Sequence, residues 1–477
     1  MINSKSIALF FTLNAAERRR FKKWLASPIH NSNHLLSKFY EFLETRSEWT
    51  ALTLRRERAY TYLFGESAFE DVKLRRILSD FYTQLEQFIV YENTQNEGIK
   101  NAITLSKQLR ARQLPIAAKD NIHAAQASIL SQKEKDAQFH LNAYWIQEEQ
   151  LTQNPSRDVV LNLQEVTNEL TYFFVAEMLR NACIAFSHKA IFKTDYNLPY
   201  LENILSDCAA GKYDHIQVIR LYHHIARCLS EPKAEKDFEA LKALLPTLSA
   251  WLHPTEVRNV FLHCINYGIR RLNQEGPSFI PEVFILYKMG LKEGIFIEHQ
   301  LISRFTYKNI VAAALALGEY EWTTAFIRDF STFLDPLYRK SYESFCTAKL
   351  LYLTEHKEEA QSILIHLDSD DIFLSLDTRV LLLKIYFDMA AWRLLNGFLN
   401  SFEHFVKRKK QLSYHAPNYL NIIHFTGRLA QHYDGKKVLT LEELAHLETQ
   451  ILASKPLTER EWLLQQLHAV QTKLIDN

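Results

Sequence analysis

Glycine and proline are scarce in this chain of 477 residues, with 11 of one and 12 of the other. Each makes up roughly 2% of the chain, where globular proteins average about 7% and 5%. A chain so poor in both cannot supply many tight turns or the glycine-rich loops that cradle phosphates. A dominant sign of charge is lacking too. Lys plus Arg number 56 and Asp plus Glu 55, so the chain as a whole has no bias toward nucleic acid or an anionic membrane, and such binding would need a local patch. Five cysteines (Cys183, Cys208, Cys228, Cys264 and Cys346) are odd in number and far apart, and read as reduced core thiols of a cytoplasmic protein. The longest purely apolar run, Ile310 to Leu317, falls well below the ~20 residues needed to span a bilayer. No membrane segment is expected. The run Ile7 to Leu13 is too short for a signal peptide and leads straight into Arg18-Arg19-Arg20.

Catalytic signatures are missing as well: there is no Gly-x-Ser-x-Gly, phosphate loop, dinucleotide fingerprint or His-Glu-x-x-His. His30 and His34 bracket an Asn-Ser-Asn turn without a third ligand, and His223-His224 point about 100° apart on a helix, so neither pair suits a metal. Asp368-Ser369-Asp370-Asp371 has the alternating oxygens of a calcium loop, but Arg379 stands twelfth, where a bidentate glutamate is required. A helix N-terminus explains those carboxylates. No cofactor, metal or enzymatic activity is expected.

What the chain does have is apolar and helical material. Hydrophobic residues make up 47% and aromatics 12%, including 30 Phe and 22 Tyr, which excludes disorder. Its length exceeds a single compact core and implies two or three domains or an elongated solenoid. A repeat between Tyr307 and Leu367 favours the solenoid. Ala348 stands 35 residues after Ala313 and Ala360 stands 35 after Ala325, with turns at Leu317-Gly318-Glu319-Tyr320 and Leu353-Thr354-Glu355-His356. Helices cross closely where a small side chain allows it, so small residues in register point to stacked hairpins. The register then weakens, because Leu383 and Leu395 take the next two places. The helices nonetheless continue through Val380 to Phe387 and Trp392 to Phe405. Residues 300–370 resemble a degenerate tetratricopeptide repeat that lacks the usual Trp and the glycine of the first helix.

Before the repeats, residues 1–94 form an N-terminal helical module. Asn14 with Glu17 makes a helix start, Ser27-Pro28 a stop and Gly65 a C-cap, and the stripe Leu74, Ile77, Leu78, Phe81, Leu85, Phe88 is strongly amphipathic. The pattern Glu17, Arg20-Phe21, Lys23, Leu25, Ser27-Pro28, Asn31, Asn33, followed by Leu74-Arg75, Leu78-Ser79-Asp80-Phe81, Leu85-Glu86 and Phe88, resembles the opening of an uncharacterised family of bacterial helical proteins. The resemblance implies a helical module and no catalytic residue. Polar residues 93–100 read as a boundary. Helices follow over about 100–113, 116–134, 136–152, 157–192, 198–210 and 214–229, broken by Pro115, Asn154-Pro155 and Gly211; the long aromatic span 157–192 is expected to bend or divide, and Pro232, Pro246, Pro254, Pro277 and Pro281 punctuate further helices.

The expected fold is therefore all-α: the N-terminal module, an α-solenoid of degenerate, tetratricopeptide-like helical hairpins over 95–435, and capping helices over 436–477. The expected function is a non-catalytic protein–protein interaction scaffold whose partner segment lies along a concave helical surface. Helical spacing from Ala313 and Ala348 puts Tyr307, Tyr342, Lys349 and Tyr352 on that surface, continued by Lys384 and Phe387. Tyrosines with interspersed lysines suit an extended acidic and apolar peptide. Packing of the same tyrosines between hairpins is the alternative. On the first reading, reversing the charge of Lys349 and Lys384 costs binding and leaves stability unchanged.

A second function is a nucleic-acid-associated regulator touching phosphates through the basic clusters Arg18-Arg19-Arg20 with Lys22-Lys23, Arg55-Arg56 with Arg58, and Lys73 with Arg75-Arg76. Residues 1–92 hold 14 basic and 11 acidic side chains, a mild excess that a solvated helix face also explains. Lys407-Arg408-Lys409-Lys410 suits a helix C-terminus.

Overall fold

The structure, a computed structural model, describes residues 1–45, 49–50, 52–153, 161–231, 233–409, 412, 415–435 and 438–475. The expected breaks at Asn154-Pro155 and Pro232, the domain boundary at 436 and Lys410 lie outside the described residues. The fold is all-α, and the β-structure among the described residues is one antiparallel pair, Ile297–Glu298 with Leu301–Ile302. Two compact units divide the chain: Met1–Ala182 with Leu198–His223 and Ala250–Leu252, and Cys183–Asn197 with His224–Ser249 and His253–Asn477.

In the first unit five helices surround an aromatic core: Lys5–Thr12, Ala15–Ala26, His34–Glu44, Arg56–Phe64 and Asp71–Gln95. The first of these is the apolar run Ile7 to Leu13, which becomes a helix because Ile7 and Phe10 bury against the others. Asn14 caps the second through a full capping box with Glu17, and Gly65 ends the fourth at φ +76°. Phe81 from the amphipathic stripe meets Phe39 edge-to-face at 4.9 Å. Further along, Gly98–Ala111, Pro115–Leu130 and Ala137–Gln153 pack around Ile122 and Ile146. Glu149 is buried there, held by Arg110 at 2.8 Å and the Ser106 hydroxyl at 2.7 Å. The aromatic span does not divide: Leu163–Phe192 is one helix of 30 residues.

Prolines mostly open helices rather than interrupt them. Pro115, Pro254, Pro281 and Pro336 all sit in first turns, where a missing N–H costs nothing. Gly268 has a different use: a Cβ there would lie 2.7 Å from Val283, so the helices Pro254–Glu275 and Ile280–Lys292 can cross this closely only over a glycine.

The second unit ends in paired helices. They are Arg304–Ala316 with Tyr320–Phe330, Pro336–Leu353 with Lys357–Ile365, Ile372–Asp388 with Trp392–Arg408, then Ala416–Tyr433, Leu441–Ala453 and Arg460–Ile475. Each of the first three pairs turns the same way. A left-handed residue (Gly318, Glu355 or Ala390) sits at the turn, and the following N–H reaches back five residues: Glu319 to Ala314, His356 to Leu351, Ala391 to Tyr386. This is a Schellman closure, which satisfies carbonyls orphaned at the helix end. The third pair thus repeats the turn although the small-residue register has lapsed. The register also fails in the first pair, where Ala313 and Ala325 are only half-buried while Ala348 and Ala360 are fully buried. Alternate helices also touch, Arg304–Ala316 against Pro336–Leu353 and Pro336–Leu353 against Ile372–Asp388. Three first helices therefore present their faces to one place.

Candidate functional site: a three-lysine pocket

Those three faces enclose an opening of about 160 Å³, and each contributes one lysine: Lys308, Lys349 and Lys384. On Pro336–Leu353 the lining residues Phe345, Lys349, Tyr352 and Leu353 are spaced by four, three and one. On Ile372–Asp388, Asp377, Val380, Leu381 and Lys384 are spaced by three, one and three. Such spacings mark a single side of a helix. Glu459, just ahead of the last helix, closes the remaining side.

Two of the lysines are neutralised. Lys308 is paired with Asp377, and Lys384 donates to Glu459 at 2.6 Å. Lys384 is further fixed by the rings of Tyr352 and Trp462, whose centroids lie 5.5 and 5.7 Å from its ammonium. The Tyr352 hydroxyl is committed to Asp388, donating across 2.6 Å. Lys349 differs. Among the described residues it has no ion-pair partner. The pocket leaves part of its side chain accessible, but its ammonium is crowded by protein, and this desolvation is the first cause lowering its pKa from the ordinary lysine value. Lys384 lowers it further, while the fields of Glu459 and Asp377 oppose the change. Beneath it, burial pushes the Cys346 thiol up to about 12, which keeps that sulfur a protonated core group.

Of the six residues expected to face a partner, Lys349, Tyr352 and Lys384 meet at this pocket. Tyr307, Tyr342 and Phe387 do not, being 0%, 1% and 4% exposed. Their rings pack between helices. Tyr307 donates to the Ile327 carbonyl at 3.4 Å and Tyr342 to Asp371 at 2.8 Å, while Phe387 lies between Trp392, Tyr433 and Trp462. Lys308, Asp377 and Glu459 were not legible as site residues. For Asp377 a signal exists, since it stands seven before Lys384 on the same helix face. Glu459 is 75 residues from Lys384 and has none.

Family models, curated proteins and solved structures were compared with this chain, and none matches.

The remaining sequence candidates take structural places. Asp371 caps Ile372–Asp388 by accepting from Phe373 and Leu374 N–H groups, which accounts for the acidic run. His30 stacks on Trp24 at 3.6 Å, and His224 pairs with Asp237 at 2.8 Å. In the N-terminal module Arg20, Lys22, Arg56, Lys73 and Arg75 each hold a carboxylate, and Arg18 lies over the Trp49 ring at 4.4 Å. No helix among the described residues is long and apolar enough to cross a membrane, and no group of three His, Cys, Asp or Glu there is placed to hold a metal ion. All five cysteines are buried.

Proposed function

We propose that the paired helices of the second unit are a degenerate, tetratricopeptide-like repeat array, and that the protein is a non-catalytic interaction scaffold taking an acidic segment of a partner protein at the three-lysine pocket. Lys349 carries this reading: a cation with no counter-ion among the described residues, presented from a helix face in an accessible opening. Leaving a cation desolvated and unpaired is costly, and a partner's negative charge offsets that cost. The apolar lining from Phe345, Val380 and Leu381 suits the stem of the segment. Five buried cysteines, far apart in sequence, suit a reducing compartment, and we propose the cytoplasm.

The test is quantitative affinity capture from the native host, comparing the intact chain with Lys349→Glu after both are shown to melt alike. A partner retained by the wild type and depleted by the variant is expected. Identical sets of captured proteins would overturn the reading. The nucleic-acid alternative is separated by a salt titration, since phosphate contacts release counterions and weaken steeply with salt. No submicromolar affinity for duplex or single strand is expected near physiological salt.

A further inference from the structure

We infer that the pocket's ligand is a single carboxylate on a short aliphatic stem, seated on the Lys349 ammonium; this rests on reading the pocket as a recognition site. The charges are uneven as they stand. Three lysines face two carboxylates, and each carboxylate is taken by an outer lysine, Asp377 by Lys308 and Glu459 by Lys384. One further negative charge placed beside Lys349 would balance the site.

Three properties of the pocket select a carboxylate over other anions. First, two carboxylates already flank the position, so a phosphate dianion would leave an excess of negative charge, whereas a carboxylate leaves none. Second, a phosphate dianion needs more than one cation to offset it, and the charges of Lys308 and Lys384 are already matched by Asp377 and Glu459, while the one hydroxyl proton of Tyr352 is spent on Asp388. Two carboxylate oxygens can be served by the unused N–H groups of Lys349. Third, the opening of about 160 Å³ is small and largely apolar in its walls, which suits a carboxylate on a short aliphatic stem. The same opening is lined by Phe345, Leu353, Val380 and Leu381, which favour methylenes over further polar groups.

The shared chemistry has two sources, an acidic residue of a partner chain or a free small acid, and residue-specific labelling tells them apart. Intact protein is reductively methylated with and without sodium butyrate, the peptide acetyl-Leu-Glu-Leu-amide, inorganic phosphate or sodium chloride at equal ionic strength, and each lysine is quantified by mass spectrometry. A bound carboxylate both blocks Lys349 and holds its proton, so methylation there should slow about tenfold with butyrate or the peptide. Exposed Lys119 should be unaffected and serves as the internal control. Protection at lower concentration by the peptide assigns a partner's side chain; by butyrate, a free acid. No protection of Lys349 by either, or equal protection by phosphate or chloride, overturns the inference.

Lys349→Met supplies a second measurement, because methionine keeps most of the unbranched apolar stem without the charge. Carboxylates should raise the melting temperature of the wild type and leave this variant unmoved, and an equal shift in both overturns the inference. The labelling result stands whether or not the variant folds. Protection of Lys349 together with capture that ignores Lys349→Glu rejects the scaffold reading alone. Capture that depends on Lys349 without carboxylate protection rejects this inference alone.

Discussion

Lys384 and Glu459 stand 75 residues apart and meet at 2.6 Å, where they join the helix Ile372–Asp388 to the residue that introduces the last helix. The lysine side chain is only 15% exposed, so the pair is poorly screened by water. It is a structural contact at the rim of the pocket as well as part of its lining.

Reversal of charge at Lys384 is therefore not neutral for stability, contrary to the sequence expectation. Lys384→Glu sets a carboxylate against Glu459 in a partly buried place and should destabilise by about 2 kcal/mol. The exchange Lys384→Glu with Glu459→Lys should recover about half of that loss. A double-mutant cycle by denaturant unfolding measures the coupling, and a value near zero would show the pair to be without effect.

Asp371 should be a point of high sensitivity. Its carboxylate caps a helix, accepts the Tyr342 hydroxyl at 2.8 Å and accepts from Arg304 at 2.9 Å. Asp371→Ala strips all of these and is expected to cost about 3 kcal/mol, with Asp371→Asn costing less because the cap survives. Burial opposes ionisation of Asp371, but the bonds from Tyr342 and the Leu374 and Phe373 N–H groups, with the Arg304 charge, outweigh it and lower its pKa. A carboxylate lowered on folding contributes stability above the ordinary carboxylate range and loses it as pH falls through its folded value. The difference between wild type and Asp371→Asn should accordingly shrink below about pH 4.

Acid should also weaken the protein through His263, whose pKa burial lowers from 6.5 to about 4. Protons then bind the unfolded chain before the folded one, so stability is complete above pH 6.5 and is lost between there and about pH 4. The effect is at most about 3 kcal/mol. His263→Gln should flatten the stability profile across this window. An unchanged slope in equilibrium unfolding from pH 7 to 4 would assign the acid sensitivity elsewhere.

The turn at Ala390 offers a stabilising change. Its φ of +53° is the left-handed region that favours glycine, and Gly318 occupies the corresponding place two pairs earlier. Ala390→Gly should stabilise by about 0.5–1 kcal/mol, read as a higher melting temperature. A lower one would mean that the Ala390 methyl makes a contact worth more than the strain.

Local signals were legible without coordinates. Amphipathic spacing marked the helices, the Asn14 and Glu17 pair marked a cap, Gly65 marked a stop, and the acidic run before Ile372 marked a helix start, because each depends on residues within a few positions of one another. The all-α class followed from the same short-range periodicity. The helix over Lys5–Thr12 and the undivided helix Leu163–Phe192 were not legible, since their limits depend on what they pack against. Nor was the fate of the tyrosines: one helix face bears both buried and accessible positions, and only the neighbouring helices decide that Tyr307 and Tyr342 go inside while Lys349 borders an opening. The balance of charge there was beyond any local pattern. Lys308 finds Asp377 across 69 residues and Lys384 finds Glu459 across 75, so tertiary packing alone determined which of the three lysines was left without a counter-ion.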